Sequence, residues 1–219
     1  MNALKRVTLT FDNGPHHKVT PEVLKSLARH DVPAAFMFVG ENLVSNTGQN
    51  LVRQVHEAGH RVGNHTFSHR MPFGAMERQD EAIAEIERTQ ELLGSWADQD
   101  RLFRPTGSGG GKLDELLLSR TAYQHLQDGG YTVVLWNSIP GDWMNPTGWV
   151  DLALADIQRL DWPLIVIHDL ATGAMDHLDS FIVRAKDMGA EFTDALPDDC
   201  VPLRCGNAQW DPEKWMTER

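Results

Sequence analysis

VTLTFDNGPHH, Val7 to His17, is the stretch on which the reading of the whole chain turns. Val7, Leu9 and Phe11 alternate with Thr8, Thr10 and Asp12, the period of a strand. Asn13-Gly14-Pro15 then ends it with residues that tolerate a left-handed backbone or fix φ. A polar cluster behind a buried strand has two readings: an ordinary turn, or one wall of a reaction site. The surrounding sequence has to decide between them.

Outward from this stretch the same pattern recurs. Strand-like runs are read at Ala34 to Val39, Arg61 to Asn64, Leu102 to Arg104, Thr132 to Trp136, Leu164 to His168 and Ala190 to Phe192. Helical periodicity fills the intervals: Pro21 to His30 with Thr20 as its cap, Gly48 to Ala58, Met76 to Trp96, Leu113 to Asp128, Thr147 to Leu160 and Met175 to Met188. The long helix from Met76, rich in Glu and Arg, is expected to show a solvated face with i,i+4 pairs. Strand and helix alternate almost throughout, which implies parallel strands covered by helices, either a doubly wound sheet or a (β/α) barrel. The one biased segment, Gly107-Ser108-Gly109-Gly110-Gly111, follows a strand directly and reads as a site loop or a surface tip.

With 219 residues and 41% hydrophobic residues the chain can bury one sizeable core, and a single domain over residues 1–219 is expected. The formal net charge of -11 and the lack of a dense basic run argue against a nucleic-acid or anionic-membrane partner. No stretch is long and apolar enough to span a bilayer, and the first strand starts too early for a secretory leader, so the chain as written is expected to be cytoplasmic. Cys200 and Cys205 are read as free thiols by default, with a small terminal disulfide as the alternative. Oligomeric state is not legible.

The polar candidates share one position. Asp12 and Asn13 follow the first strand, His65 and His69 the third, Arg104 the fourth, and Asp142 and Trp143 the fifth; His168 and Asp169 close the next. Each alone has an ordinary explanation: solvated loop histidines, a surface ion pair, a core histidine, a capped turn. All of them lie at carboxyl ends of strands, which in a (β/α) barrel meet on the face that carries catalysis. The adjacent His16 and His17 are read as solvated.

TFDNGP, HTFSH, RPTGS, the GDW of IPGDW and LIVIHD occur in the order and spacing of the polysaccharide deacetylases, and over Val7 to Met188 the chain resembles these NodB-like carbohydrate esterases of family 4. The resemblance implies a distorted (β/α) barrel of about seven strands, related to the TIM barrel. It also implies a hydrolase that removes acetyl groups from N-acetylated or O-acetylated saccharides with a divalent metal, usually zinc. Carried onto this sequence, His65, His69 and Asn13 occupy the metal-ligand positions and Asp12 that of the general base. Arg104 orients Asp12, His168 is the general acid, and Asp142 holds its ring. Trp143 and Val166 wall the acetyl methyl, and the backbone N–H of Gly107 faces the oxyanion.

Three departures qualify the match. Asn13 stands where the family has a second Asp, so a ligand charge is missing and weaker metal binding follows. Thr106, Gly107 and Ser108 replace the usual Pro-Tyr-Gly, and Ile139 replaces the first Asp of the fourth motif. The alternatives are a catalytically impaired relative that binds glycan, or a hydrolase of another small amide.

Overall fold

The structure is a computed structural model that describes residues 5–107, 111–212 and 215–217. Its centre is β1 (Lys5–Asp12), in which every residue from Val7 onward is buried. Burial on both faces of a strand requires a layer on each side, and the side chains divide accordingly. Val7, Leu9 and Phe11 pack outward with Val23 and Leu27 of α1 (Val19–His30), while Thr10 and Asp12 turn inward to Arg104.

The chain continues through β2 (Ala35–Phe38), α2 (Asn46–Glu57), β3 (Arg61–Asn64), α3 (Gln79–Leu93) and β4 (Leu102–Phe103). Then follow β5 (Leu118–Ser119), α4 (Arg120–Asp128), β6 (Thr132–Val133), α5 (Trp149–Arg159), β7 (Leu164–His168) and α6 (Leu178–Asp187). The last strands are β8 (Ala190–Thr193), β9 (Leu203–Arg204), β10 (Asn207–Ala208) and β11 (Met216–Thr217). The main sheet runs β10-β9-β6-β4-β3-β2-β1-β7, with β8 on the amino-terminal half of β1. From β6 to β7 its pairings are parallel; β9 and β10 join antiparallel at one edge.

This is the α/β architecture expected, but the ladders do not close a barrel. Among the described residues, the two edges of the parallel stretch meet at a single bridge between Ser138, beyond β6, and Ile165 of β7. Ser138 N–H donates to Leu164 O at 3.2 Å and Val166 N–H to Ser138 O at 3.0 Å. Asn137 reinforces this seam by accepting from Leu164 N–H at 2.8 Å.

Several expectations need correction. Helix Leu113 to Asp128 is a short strand and a shorter helix: Leu118 and Ser119 pair with Met216 and Thr217, and the Ser119 hydroxyl then caps α4 by accepting from Ala122 N–H at 3.1 Å. Thr20 is not a cap; the helix starts before it, and its hydroxyl is engaged elsewhere. Ser45, accepting from Gly48 N–H, starts α2 two residues earlier than expected. The Thr132 to Trp136 ladder stops at Val133.

The long helix runs from Gln79 to Leu93 and is followed by a single 3-10 turn at Gly94–Trp96, entered where Gly94 takes φ 51. It is not merely a solvated face. Glu85 accepts from Ser68 N–H at 2.7 Å, Asn64 donates to Ile86 O at 2.8 Å, and the Arg88 guanidinium lies over the Phe67 ring. These contacts tie α3 to the loop that carries His65 and His69. The cysteines are free thiols, as expected, Cys200 buried and Cys205 exposed. Among the described residues no helix is long and apolar enough to cross a membrane.

Candidate active site

Arg104 is fully buried, an arrangement sustainable only if its donors are matched. Its Nε donates to Val134 O at 3.0 Å, and Nη1 donates to Thr10 Oγ1 at 2.9 Å and to Asp12 Oδ1 at 2.6 Å. Burial by itself would raise the Asp12 carboxyl. The positive charge of Arg104, with contributions from His65 and His168, outweighs that and holds it below the usual carboxylate range. Asp12 is therefore an ionised carboxylate at neutral pH, with one oxygen held and the other toward the pocket.

His65 is buried and faces the second oxygen of Asp12, its Nε2 lying 3.5 Å from Oδ2. Its Nδ1 lies 2.8 Å from Arg104 O, a carbonyl that can only accept, so Nδ1 carries the proton. Desolvation pushes the His65 pKa down to about 3, and burial also lowers His69. The lone pair on His65 Nε2 is therefore free. The two imidazoles lie with centroids 4.6 Å apart.

The loop that brings them together is strained. Thr66 has φ 63, a β-branched residue in the left-handed region, and His69 has φ 52. Asn64 Oδ1 holds Thr66 N–H at 3.0 Å, and Thr66 Oγ1 accepts from His69 N–H at 3.1 Å. Asn13, also left-handed at φ 70, has a buried amide oxygen without a hydrogen-bond partner.

Asp12 Oδ2, His65 Nε2 and Asn13 Oδ1 are all acceptors, and an acceptor-rich cavity with an orphaned oxygen fits a cation. Among the described residues no group of three His, Cys, Asp or Glu forms a metal cluster. The donor that would complete His65 and His69 is an amide, Asn13.

On the neighbouring strand, where His168 pairs in register with Asp12, His168 Nδ1 is 2.8 Å from Asp142 Oδ1, and its backbone N–H donates to Asp142 Oδ2 at 2.9 Å. Burial would lower the pKa of this imidazole, but the hydrogen bond and charge of Asp142, aided by Asp12 and Asp169, raise it above the ordinary value. Trp143 meets the ring edge-on, with centroids 4.9 Å apart. The ring-holding carboxylate is fully buried and crosses the seam between the β6 and β7 sides of the sheet.

These groups line one cavity of about 290 Å³, which includes Asp12, Asn13, His65, His69, Trp143 and His168. Gly107 and Val166, expected against the substrate, also line it; Ser108 to Gly110 of the glycine segment lie outside the described residues. Sequence reasoning missed Trp136, whose Nε1 donates to Gly111 O at 2.9 Å and fixes the far end of that segment beside Ile139. It placed Asp169 at the end of the same strand as His168 but gave it no role; this residue is fully buried behind Gly14, and its carboxyl is pushed up to about 6 by desolvation. His16 and His17, their ring centroids 4.7 Å apart, lie on a separate groove with Glu41 and Asn42, outside the cavity.

The polysaccharide deacetylase family profile matches residues 2–134, a span that contains Asp12, Asn13, His65, His69 and Arg104. The chain belongs to the polysaccharide deacetylase family. It is 31% identical over 193 residues to a peptidoglycan-N-acetylglucosamine deacetylase of Bacillus cereus, covering 85% of this chain and 65% of the relative. The peptidoglycan-N-acetylglucosamine deacetylase PgdA of Listeria monocytogenes is 29% identical over 86% of the chain, which spans only 37% of that protein's length. Among solved structures, the family 4 carbohydrate esterase from Streptomyces lividans superposes with a TM-score of 0.74 at 24% identity, over 91% of this chain and 97% of that one. A mutant of BA3943, described as a pseudoenzyme of the same esterase family with restored activity, superposes with a TM-score of 0.70 at 22% identity, over 88% of this chain and 66% of that one.

Proposed function

We propose that this chain hydrolyses the acetamido group of N-acetylated saccharides, the substrate class its Bacillus cereus relative's name implies. The observation that carries the reading is the pairing of an ionised carboxylate, Asp12 on Arg104, with a proton-rich imidazole, His168 on Asp142, side by side on neighbouring strands in a single cavity. A base and an acid whose surroundings push their pKa values apart are what amide hydrolysis needs: one group takes a proton from water, the other gives one to the departing amine. Asp12 acts as base, kept ionised by Arg104. His168 acts as acid, kept charged by Asp142. Trp143, with Val166 beside it, presents an apolar face to the acetyl methyl, and Gly107 offers a backbone N–H at the cavity wall.

His65, His69 and Asn13 are the residues that would hold a divalent cation, zinc by the chemistry of two neutral imidazoles and an oxygen donor. Bound there, it would polarise the acyl oxygen and acidify a water. Because Asn13 brings no charge, affinity is below that of a carboxylate site. A second reading, a glycan-binding relative without turnover, draws on Asn13 and on the pseudoenzyme among the structural neighbours.

Acetate release from N-acetylglucosamine oligomers, with zinc or cobalt supplied and metal content measured on the same sample, separates the two. Acetate is expected. Asn13→Asp is expected to bind the metal at least about tenfold more tightly, since one added charge at a few ångström is worth more than ~1.4 kcal/mol even at intermediate dielectric. Metal bound without acetate from any acetylated saccharide favours the second reading.

A further inference from the structure

We infer that Asp169 is a positioning residue for the loop that carries Asp12 and Asn13: seated behind Gly14 and bonded to Thr20, it fixes where the amide of Asn13 faces the cavity. Three contacts make the argument. Thr20 Oγ1 donates to Asp169 Oδ2 and, as acceptor, takes His16 N–H at 2.8 Å, so one hydroxyl joins the carboxylate to the backbone of the loop. Gly14 lies directly against that carboxylate, and any Cβ there would collide with it, so the loop rests on Asp169 in the absence of a side chain. From the other side Asn42 Nδ2 donates to Asn13 O at 2.8 Å and Gly14 O at 3.2 Å, and Val39 N–H donates to Gly14 O at 3.1 Å.

The loop is thus held between two supports. One is attached to the 3-10 turn at Gly40–Leu43, the other to the residue that follows the proposed acid, His168. Asn13 sits at φ 70, a conformation an unsupported Asn leaves readily for the right-handed or extended regions. With Asp169 and Thr20 gone, only the Asn42 side remains, and the amide oxygen is no longer directed. Partners behind a ligand commonly govern affinity by about 10–100-fold, and the same range applies here. The inference rests on the deacetylase reading for the use of Asn13, but not for the anchoring of the loop, and the test has an arm for each.

The first arm uses metal-free protein and hydrogen–deuterium exchange followed by mass spectrometry. Thr20→Val and Asp169→Ala are expected to raise exchange in peptides spanning Asn13 to Val19, and at Val39, about tenfold or more, with α3 and α4 unchanged. Asp169→Asn keeps an oxygen that accepts from Thr20 and is expected to behave as the parent. Unchanged exchange in both disruptive variants overturns the inference, and so does a rise in Asp169→Asn equal to that in Asp169→Ala. Thr20→Val keeps the test decisive if Asp169→Ala fails to fold.

The second arm is cobalt(II) titration followed by its visible absorption. An affinity loss of 10–100-fold in Thr20→Val, with the parental value retained in Asp169→Asn, supports the role toward Asn13. Equal affinity in all variants overturns it. If the parent binds no cobalt, the metal reading fails while the exchange arm still decides the anchoring.

Discussion

His65 and His168 line the same cavity and carry the same ring, yet the protein holds them in opposite states. His65 is 3% exposed and its Nδ1–H is spent on a backbone carbonyl, an uncharged acceptor; burial then dominates and the ring stays neutral. His168, 12% exposed at its side chain, gives its Nδ1 to the Asp142 carboxylate and keeps its proton. Burial lowers the pKa of both rings. At His65, the more deeply buried, the nearby Asp12 charge does not offset it and Arg104 and His69 add to it, whereas at His168 the hydrogen bond and charge of Asp142 outweigh it.

The strongest way to break this comparison is to remove each ring. His168→Gln is expected to lower kcat by roughly 10²–10⁴-fold while leaving metal content unchanged, whereas His65→Gln is expected to lose both. Acetate release together with elemental analysis of each variant checks it, and equal metal loss in the two would erase the distinction. Next in size is Arg104→Leu, which leaves Asp12 buried without its counter-charge; a loss of about 3–5 kcal/mol in urea denaturation is expected.

Asp142→Asn sharpens the comparison by giving His168 a neutral partner like that of His65. The alkaline limb of the kcat profile should then move to lower pH, with kcat reduced about tenfold at neutral pH. A limb that stays in place would show that Asp142 does not set the proton affinity of His168.

The smallest effect is in stability. The folded pKa of His168 is raised above 6.5, so the contribution of its pair with Asp142 is complete below pH 6.5 and disappears as pH rises through the folded pKa. The gap between parent and Asp142→Asn, on the order of 1–3 kcal/mol, should therefore be widest on the acid side and narrow upward. Thermal or urea melts across that range measure it.

The strand ends were legible because each apolar run stops at a polar residue, and the parallel arrangement then gathers those residues without further information. Asp12, His65, Arg104 and His168 needed only that rule. What lay beyond the sequence depends on contacts between distant segments. Leu116 to Leu118 fit a helical period, but Leu118 pairs with Met216, nearly a hundred residues on, and local pattern cannot anticipate that competition. Glu85 and Arg88 look like any charged helix surface until the loop from Asn64 is folded onto them. Thr20 looks like a cap because Ser and Thr before a helix usually are; the pull of Asp169, 149 positions later, is absent from the window.

The seam at Ser138 and Ile165 has a last consequence. Asp142 belongs to the segment on one side of it and His168 to the strand on the other, so the ion pair also spans the join between the two edges of the parallel stretch. Parting of the two edges there would separate His168 from the carboxylate that raises its pKa, so under the proposed function the same opening would remove the acid.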